Sequence, residues 1–302
     1  MNKIKLFAIL DIDHPMVAWE VAIGRVLAYP EMFEANIPSP SLWLFNNIKD
    51  LSSSSLINDL LIEFEMESYR RKHVPGAQSR LSGAFFFESM NDAKTACEYW
   101  GWFDKIDYIS EVDFYPVSIF RADSNWITNK IRSCEKNERM EYVERYFSGE
   151  ESQAKPIYEV ISEGYGYVLN EKLRREAYKK IRERTPYSSF LLALGISAFS
   201  QSEKYRSIFR VLPFLREINN EILGDFIIDM KTFNENEAEV ARISKRHIHN
   251  NATILSHPKL DICGKSLLIN RNPLDDVIFN APDLRTESFI IDSHKVKALF
   301  EV

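Results

Sequence analysis

The spacing of apolar and polar residues divides the first 170 residues into a mixed series of strands and helices. An apolar run over 4–12 has the composition of a buried strand and ends at Asp13-His14-Pro15. Apolar residues at helical spacing predict a helix over 56–72. The same two patterns predict strands at 84–87, 107–115, 117–121, 157–161 and 165–169, and helices at 91–100 and 124–146.

The pattern changes after Asn170. Residues 171–184 and 186–222 are predicted to be helical, and a more strand-like tail begins at 225–233, with turns at Asn234, Asn250, Asn270 and Asn280. The order of elements favours an α+β fold with one region at 1–170 and a second at 171–302, helical first and then β-containing. A further boundary near 224 remains open, so 225–302 is either part of the second region or a separate domain.

Composition limits the classes of function. The chain has 302 residues, of which 45% are hydrophobic, enough for one large core or two modest ones. Its net charge of −6 gives no overall attraction to nucleic acid or anionic membranes, although a local basic patch can still bind phosphate. Three cysteines without a CxxC motif suit a reducing cytoplasm. No apolar run approaches the roughly 20 residues of a membrane span. A cytoplasmic protein is expected.

Three short motifs follow one another in the first region. A helix carrying Glu67 and Arg70 leads into SRLSGAFFFES at 79–89. An alanine-bearing helix and a strand then lead to ADSNW at 122–126. The third motif is YFSG at 146–149, followed by PIYEVISEGYGYVL at 156–169. This order resembles a bacterial family of uncharacterised domains in the ADP-ribosyltransferase superfamily. The last segment resembles the one that holds the catalytic glutamate in DNA-targeting toxins of the DarT type. The resemblance covers roughly residues 60–170.

The resemblance implies a split antiparallel β core with flanking helices, and transfer of ADP-ribose from NAD, the co-substrate, to a macromolecule. Glu159 takes the catalytic position, where a carboxylate stabilises an oxocarbenium-like transition state or deprotonates the acceptor. Arg80 is the candidate for the pyrophosphate, because a guanidinium pairs with it in a bidentate way. The further candidates for cofactor contacts are Ser79, Ser89, Tyr99 and His14.

The resemblance also implies partners. Toxins of this kind usually act beside a neutralising protein, so an antitoxin and a role in a toxin–antitoxin or anti-phage system are expected by analogy. The acceptor is DNA, RNA or protein, with nucleic acid preferred because of a basic helix over 171–184. Its candidate phosphate contacts are Arg174, Arg175, Lys179 and Arg182. The structural alternative is a solvated helix with Glu–Lys and Glu–Arg pairs.

Each candidate has a structural alternative. Glu159 alternates with apolar neighbours and fits a solvent-facing strand position, and Arg80 fits a loop-closing pair with Glu67 or Glu88. Ser89 fits the N-cap of the helix at 91–100. The first strand (KLFAILDID) contains no Arg or His, the residues that often hold the ribose in such transferases. The alternative function is therefore a catalytically inactive binding or scaffold module with the same fold.

A metal site is not expected. His247, His249 and His257 form an HxH pattern with a third histidine, but no Cys or acidic ligand lies at a supporting spacing, and the segment is predicted to be a loop. Nucleotide-loop, dinucleotide-fold, metalloprotease and serine-hydrolase motifs are absent from the sequence.

Overall fold

The computed structural model describes residues 2–28, 31–32, 37–51, 54–152, 155–184, 189–250 and 287–297. These residues form a mixed α/β structure with antiparallel sheets, in agreement with the predicted α+β class. The strands of the first region are β1 (Ile4–Ile9), β2 (Arg25–Ala28), β3 (Glu31–Met32), β4 (Ile37–Pro38), β5 (Ala84–Phe86), β6 (Ile109–Asp123) and β7 (Tyr158–Val168). β3 and β4 pair only with each other, and the remaining five form the main sheet.

The main sheet has the order β1-β6-β7-β2, with β5 also on β7. β2 pairs with residues 164–167 of β7, whereas β5 pairs with residues 160–162. Glu163 therefore lies at the point where the partner on this edge of β7 changes from one short strand to the other. Phe87, just after β5, forms an antiparallel bridge to Phe7 of β1. Because β1 lies on the far side of β6, this bridge curls the sheet back on itself.

Ten helices surround the sheets in the described part of the chain: α1 (Pro15–Ile23), α2 (Leu42–Lys49), α3 (Ser54–His73), α4 (Met90–Trp100), α5 (Lys136–Ser148), α6 (Glu171–Arg184), α7 (Ser189–Phe199), α8 (Lys231–Asn234), α9 (Glu237–Asn250) and α10 (Ser293–Lys297). Their ends follow local chemistry. Ser41 and Ser89 accept hydrogen bonds from the first turns of α2 and α4, and Gly101 and Gly149 end α4 and α5 with a positive φ.

The second sheet corrects the helix predicted over 186–222. Only α7 is a long helix there, and β8 (Arg210–Ile218) and β9 (Glu221–Asp229) form a hairpin that β10 (Phe289–Asp292) extends. Asn219 and Asn220 join the hairpin with φ of 51° and 65°. Asparagine tolerates this conformation, and a two-residue turn with both φ positive matches the twist of paired strands. The apolar run before it is therefore a strand, with Pro213 on the sheet edge.

Two predicted strand breaks are also corrected. β6 runs through Pro116 with a register shift between Pro116 and Ser118. Proline is accommodated because β1 pairs with β6 only as far as Phe114, so no ladder hydrogen bond is lost on that edge. β7 likewise runs through Gly164 without a turn.

The helix predicted over 124–146 is instead a π-helical turn at Ile127–Ile131 followed by α5.

The packing is continuous across residue 170. A single hydrophobic cluster includes Phe114 of β6, Ala177 of α6 and Phe226 of β9. A buried ion pair strengthens this junction: Arg25 donates to Glu20 and, through Nη1, to the carbonyl of Arg206 at 2.7 Å. The two regions predicted from the sequence thus share one core in the described residues.

Replacing Gly164 with alanine is expected to destabilise the fold by about 3 kcal/mol, the upper end for a strained backbone position. Its φ is +148°, and an added Cβ would lie 2.2 Å from the carbonyl oxygen of Tyr115, a backbone atom held by the strand ladder. Gly101 is the matched control, because its φ is +74° but no atom lies within 4 Å of the added Cβ. Gly101→Ala should cost about 1 kcal/mol in denaturant unfolding. Equal effects at the two positions would contradict the close approach.

Candidate functional site

A buried cluster of four ionisable side chains joins α3, α5 and β7. Arg80 donates through Nε to Glu63 at 2.8 Å and through Nη1 to Glu159 at 2.5 Å and the hydroxyl of Tyr146 at 2.9 Å. Tyr146 in turn donates to Glu159 at 2.9 Å. Arg80 is 8% exposed and Glu159 4% exposed. The sequence prediction brings Arg80 and Glu159 into one site, and the structure places them in direct contact, closed off from solvent.

Burial and the neighbouring charges together set the pKa values of this cluster. Burial raises the pKa of the Glu159 carboxyl, an effect that Arg80 opposes without cancelling. Burial acts to lower the pKa of Arg80, but Glu159 and Glu63 outweigh it and raise that pKa well above its usual value. One guanidinium is therefore shared by two carboxylates, one of which holds its proton more tightly than in water. This is the arrangement of a structural ion cluster.

The loop after α3 is braced by Glu67. Its carboxylate accepts hydrogen bonds from Arg70 at 2.8 Å on both oxygens, from Arg71 at 2.7 Å and from the hydroxyl of Ser79 at 2.9 Å. Arg70 also donates to the carbonyl of Ala77 at 2.8 Å. Burial acts to raise the pKa of Glu67, but the hydrogen bonds from Arg70, Arg71 and Ser79 outweigh it and lower that pKa. The loop over 74–83 is thereby tied to α3 at Pro75, Ala77 and Ser79.

This loop forms one wall of an open pocket of about 560 Å³. The remaining walls come from the end of α3, the β6–β7 pair, the segment that begins α2, and Leu215 of β8. The chain therefore builds the pocket from both predicted regions. Its polar walls include the following side chains: Glu67, Arg70, Arg71, Gln78, Ser79 and Glu163.

Glu163 is the pocket carboxylate on β7. It accepts a hydrogen bond from the side-chain amide of Gln78 at 2.6 Å and a longer one from Ser82 at 3.4 Å. It lies opposite Ser118, at the change of partner on the β7 edge. Two residues farther along the same face of β7, the ring of Tyr165 stacks on Tyr115 with centroids 4.9 Å apart. The arrangement offers a carboxylate that the loop residues hold in the pocket.

Arg71 is the most exposed cation of the pocket, with 74% of its side chain accessible while its Nε is held by Glu67. Arg70 is 13% exposed and is engaged by Glu67 and the loop carbonyls. The pocket therefore combines an exposed guanidinium from α3 with the Glu163 carboxylate. A guanidinium binds phosphate oxygens, and a carboxylate accepts hydrogen bonds from hydroxyl groups.

The structure distributes the other predicted cofactor residues over different places. Ser79 lies on the pocket wall. Ser89 caps α4, accepting from the backbone N–H of Asp92 at 3.0 Å, as the structural alternative predicted. Tyr99 lies on α4, half exposed, and donates to Asn129 at 2.7 Å. These last two residues lie outside the walls of the pocket.

His14 is also away from the pocket. It caps α1, and burial lowers its pKa. His14 is not among the residues that line the pocket. Its ring instead lies against Phe226 of β9, with the ring centroids 5.9 Å apart.

Several cationic side chains of the basic helix α6 donate hydrogen bonds to other parts of the fold. Its apolar face, with Leu173, Ala177 and Ile181, is buried. Lys180 and Arg184 bind Asp13, and the hydrogen bond from Lys180 lowers the pKa of Asp13 to about 2.

The four candidate phosphate contacts on α6 differ in exposure. Arg174 is largely buried and donates to the carbonyl of Ile23 at 3.3 Å. Arg175 and Lys179 are 82% and 73% exposed and pair with Glu171 and Glu183 respectively. Arg182 is partly exposed. The predicted Glu–Arg and Glu–Lys pairs are present, and nucleic-acid binding by the exposed cations stays a prediction.

The described residues contain neither a cluster of metal ligands nor a membrane-spanning helix. No group of three or more His, Cys, Asp or Glu side chains in them is arranged to hold a metal ion. His247 and His249 lie in α9 rather than in the predicted loop, and His257, Asn270 and Asn280 lie outside the described residues. Over the same ranges, no helix has both the length and the apolar character to cross a bilayer.

The sequence reasoning did not identify Glu163, Gln78 or Arg71 as site residues. The sequence predicts separate strands at 157–161 and 165–169, and the pairing of Glu163 with Ser118 of β6 shows that it lies inside one long strand. A glycine inside a strand pattern often marks close approach of another backbone, and this was the available signal. Neither the known protein-family models nor the curated proteins contain a match to this chain, so its site is interpreted from its own geometry.

Proposed function

We propose that this protein is an NAD-dependent ADP-ribosyltransferase that binds its co-substrate in the pocket between the 74–83 loop and β7. The observation that supports this most is the position of Glu163, an oriented carboxylate in a pocket that also holds an exposed guanidinium. The pocket volume of about 560 Å³ falls in the range of small-molecule and cofactor sites. The order of sequence motifs, which resembles that of ADP-ribosyltransferases, supports the same reaction.

In this proposal Arg71 pairs with the pyrophosphate, and Glu163 accepts hydrogen bonds from the ribose next to nicotinamide. The bond between the ribose C1′ and the nicotinamide nitrogen breaks, and its electron pair leaves with neutral nicotinamide. The Glu163 carboxylate stabilises the cationic ribose. An acceptor nucleophile then bonds to C1′ and gives up its proton, for which Glu163 is the base.

The catalytic role is proposed for Glu163 and not for Glu159 because of their surroundings. Glu159 lies outside the pocket walls and is 4% exposed. Arg80 and Tyr146 both donate to its Oε1, so a ligand that used this oxygen would displace one of them. Removing either partner leaves buried polar groups unpaired. Arg80 and Glu159 are therefore assigned to holding β7 against α3 and α5.

The proposed acceptor is a macromolecule, and nucleic acid, DNA or RNA, is preferred. The exposed Arg175 and Lys179 of α6 support this preference. With such a reaction the protein belongs to a toxin–antitoxin or anti-phage system and has an antitoxin as its partner. This step rests on the resemblance to toxin transferases and is an analogy.

Incubation with NAD labelled in the adenylate phosphate tests the proposal. The purified protein is mixed with separate pools of DNA, RNA and cell-lysate protein, and label in the macromolecular fraction is measured. We expect transfer to one class of acceptor, with nucleic acid labelled more than protein. Absence of transfer to every pool, together with no release of nicotinamide, would sink the proposal.

The second candidate is a catalytically inactive binding or scaffold module. It is favoured by the absence of Arg and His from the first strand and by the structural use of the Arg80–Glu159 pair. The two candidates differ in turnover. A module binds NAD or another ligand in the pocket and releases no nicotinamide over hours, whereas the transferase consumes NAD.

A further inference from the structure

We infer that Gln78 is a positioning residue that orients the Glu163 carboxylate towards the pocket. This inference rests on the proposed function, since it assigns Gln78 a part in that reaction. Gln78 is 5% exposed and lies on the braced loop. Its amide is the short contact of Glu163, at 2.6 Å.

The hydrogen bonds around Gln78 fix which end of its amide faces Glu163. The hydroxyl of Ser118 donates to Oε1 of Gln78, and Nε2 donates to Glu163 and, at 3.4 Å, to Ser82. The opposite orientation would place an amide oxygen against a carboxylate, two groups that both accept hydrogen bonds. The ionised form of Glu163 therefore requires Nε2 on its side, and the Ser118 hydroxyl completes the arrangement.

The site of this contact explains why a positioning residue is needed. Glu163 lies where β2 ends and β5 begins on the edge of β7, so neither short strand has a residue in register with it. On the other edge it faces Ser118, next to the register shift of β6. Ser162 strengthens the contact between β7 and β6 at this position by donating to the carbonyl of Ser118 at 2.5 Å. Gln78 thus connects the loop to the position where the pairing of both β6 and β7 is irregular.

This geometry predicts an effect of Gln78 on the reaction. Its N–H donates to the Glu163 carboxylate and limits the directions in which that carboxylate points. Loss of this contact lowers the rate of the chemical step more than the affinity for NAD, because orientation matters most in the transition state. Replacement by glutamate keeps the shape but puts two carboxylates together, and protonation of the new side chain restores a donor.

The experiment measures nicotinamide release and NAD binding between about pH 5 and about pH 8 for the wild type, Gln78→Leu, Gln78→Glu and Gln201→Leu. We expect Gln78→Leu to lower kcat about 100-fold, as for misplacement of a catalytic group, and to change the Kd for NAD less than about threefold. Gln78→Glu should be equally slow at pH 8 and recover as the pH falls. Gln201→Leu makes the same substitution at an exposed position outside the pocket walls and should remain within about threefold of the wild type.

Thermal unfolding of each variant accompanies the rates, and Gln78→Glu decides the question if Gln78→Leu does not fold. An active wild type with a Gln78→Leu kcat within about threefold, or with a Gln78→Glu pH profile like that of the wild type, overturns this inference alone. A wild type that releases no nicotinamide overturns the proposed function and, with it, this role of Gln78.

Discussion

Replacing Arg80 with methionine is expected to destabilise the fold by about 3–5 kcal/mol at neutral pH, the usual consequence of removing one partner of a buried ion pair. Methionine fills a similar volume, so the loss is one of charge and hydrogen bonds. Glu63 and Glu159 would remain buried with no cation between them, 2% and 4% exposed. Equilibrium unfolding in urea measures the effect.

The loss of folding stability caused by Arg80→Met should depend on pH. Burial already raises the pKa of Glu159 in the folded protein, and Arg80 opposes this rise more strongly than the hydrogen bond from Tyr146 does. A carboxyl with a folded pKa above its unfolded value stabilises the fold below the unfolded pKa, and that contribution is lost as the pH rises through the folded pKa. The free energy of unfolding of Arg80→Met should therefore be closest to that of the wild type near pH 4, about the pKa of glutamate in the unfolded chain. It should fall further below the wild-type value towards pH 7.

Two further variants control the Arg80 experiment. Glu159→Gln added to Arg80→Met removes one buried charge and should recover part of the lost free energy of unfolding. Arg71→Met removes a guanidinium that is 74% exposed and should change stability by less than about 0.5 kcal/mol. A loss from Arg80→Met below about 1 kcal/mol, or one independent of pH, would contradict the assignment of the cluster to the fold.

Glu163→Gln is expected to lower the rate of nicotinamide release by about 100- to 1000-fold, the range for removal of a group that stabilises transition-state charge. The substitution removes the charge and keeps the shape, and Glu163 is partly exposed, so the free energy of unfolding should change little. Steady-state kinetics on NAD, together with an unfolding curve, measure both quantities.

Glu159→Gln is the matched control for this variant, four residues away on β7. Because burial favours the protonated form of Glu159, a neutral side chain of the same size is tolerated there, and activity should remain within about threefold of the wild type. A Glu159→Gln variant that is folded and inactive beside an active Glu163→Gln variant would reverse the two assignments.

Local chemistry made several elements predictable. The strand at β1, the helices α3, α4 and α6, and the N-cap of α4 by Ser89 follow from periodicity and capping alone. The sequence predictions are wrong where pairing with a neighbouring strand determines the local structure. Pro116 and Gly164 have the sequence pattern of strand breaks, yet both lie inside long strands because their neighbours in the sheet accommodate them. The prediction of a helix over 186–222 is wrong because Asn219 and Asn220 form a tight turn between two paired strands, β8 and β9.

The candidate site shows a similar division. The resemblance implies that Arg80 and Glu159 lie in one ligand site, and the structure joins them in a buried ion pair outside the walls of the pocket. Whether such a pair faces solvent depends on what covers it, and here Tyr146 and Glu63 close it from two helices. The contact of Gln78 with Glu163 joins residues 85 positions apart, and no local pattern in either segment encodes it.

The most direct test of the account is a crystal structure of the protein with an NAD analogue whose nicotinamide bond cannot be cleaved. We predict density in the pocket beside the 74–83 loop, with the pyrophosphate at Arg71, a ribose hydroxyl at Glu163, and the Arg80–Glu159 pair intact. An analogue bound elsewhere, or bound through Glu159 with Arg80 displaced, would contradict the account.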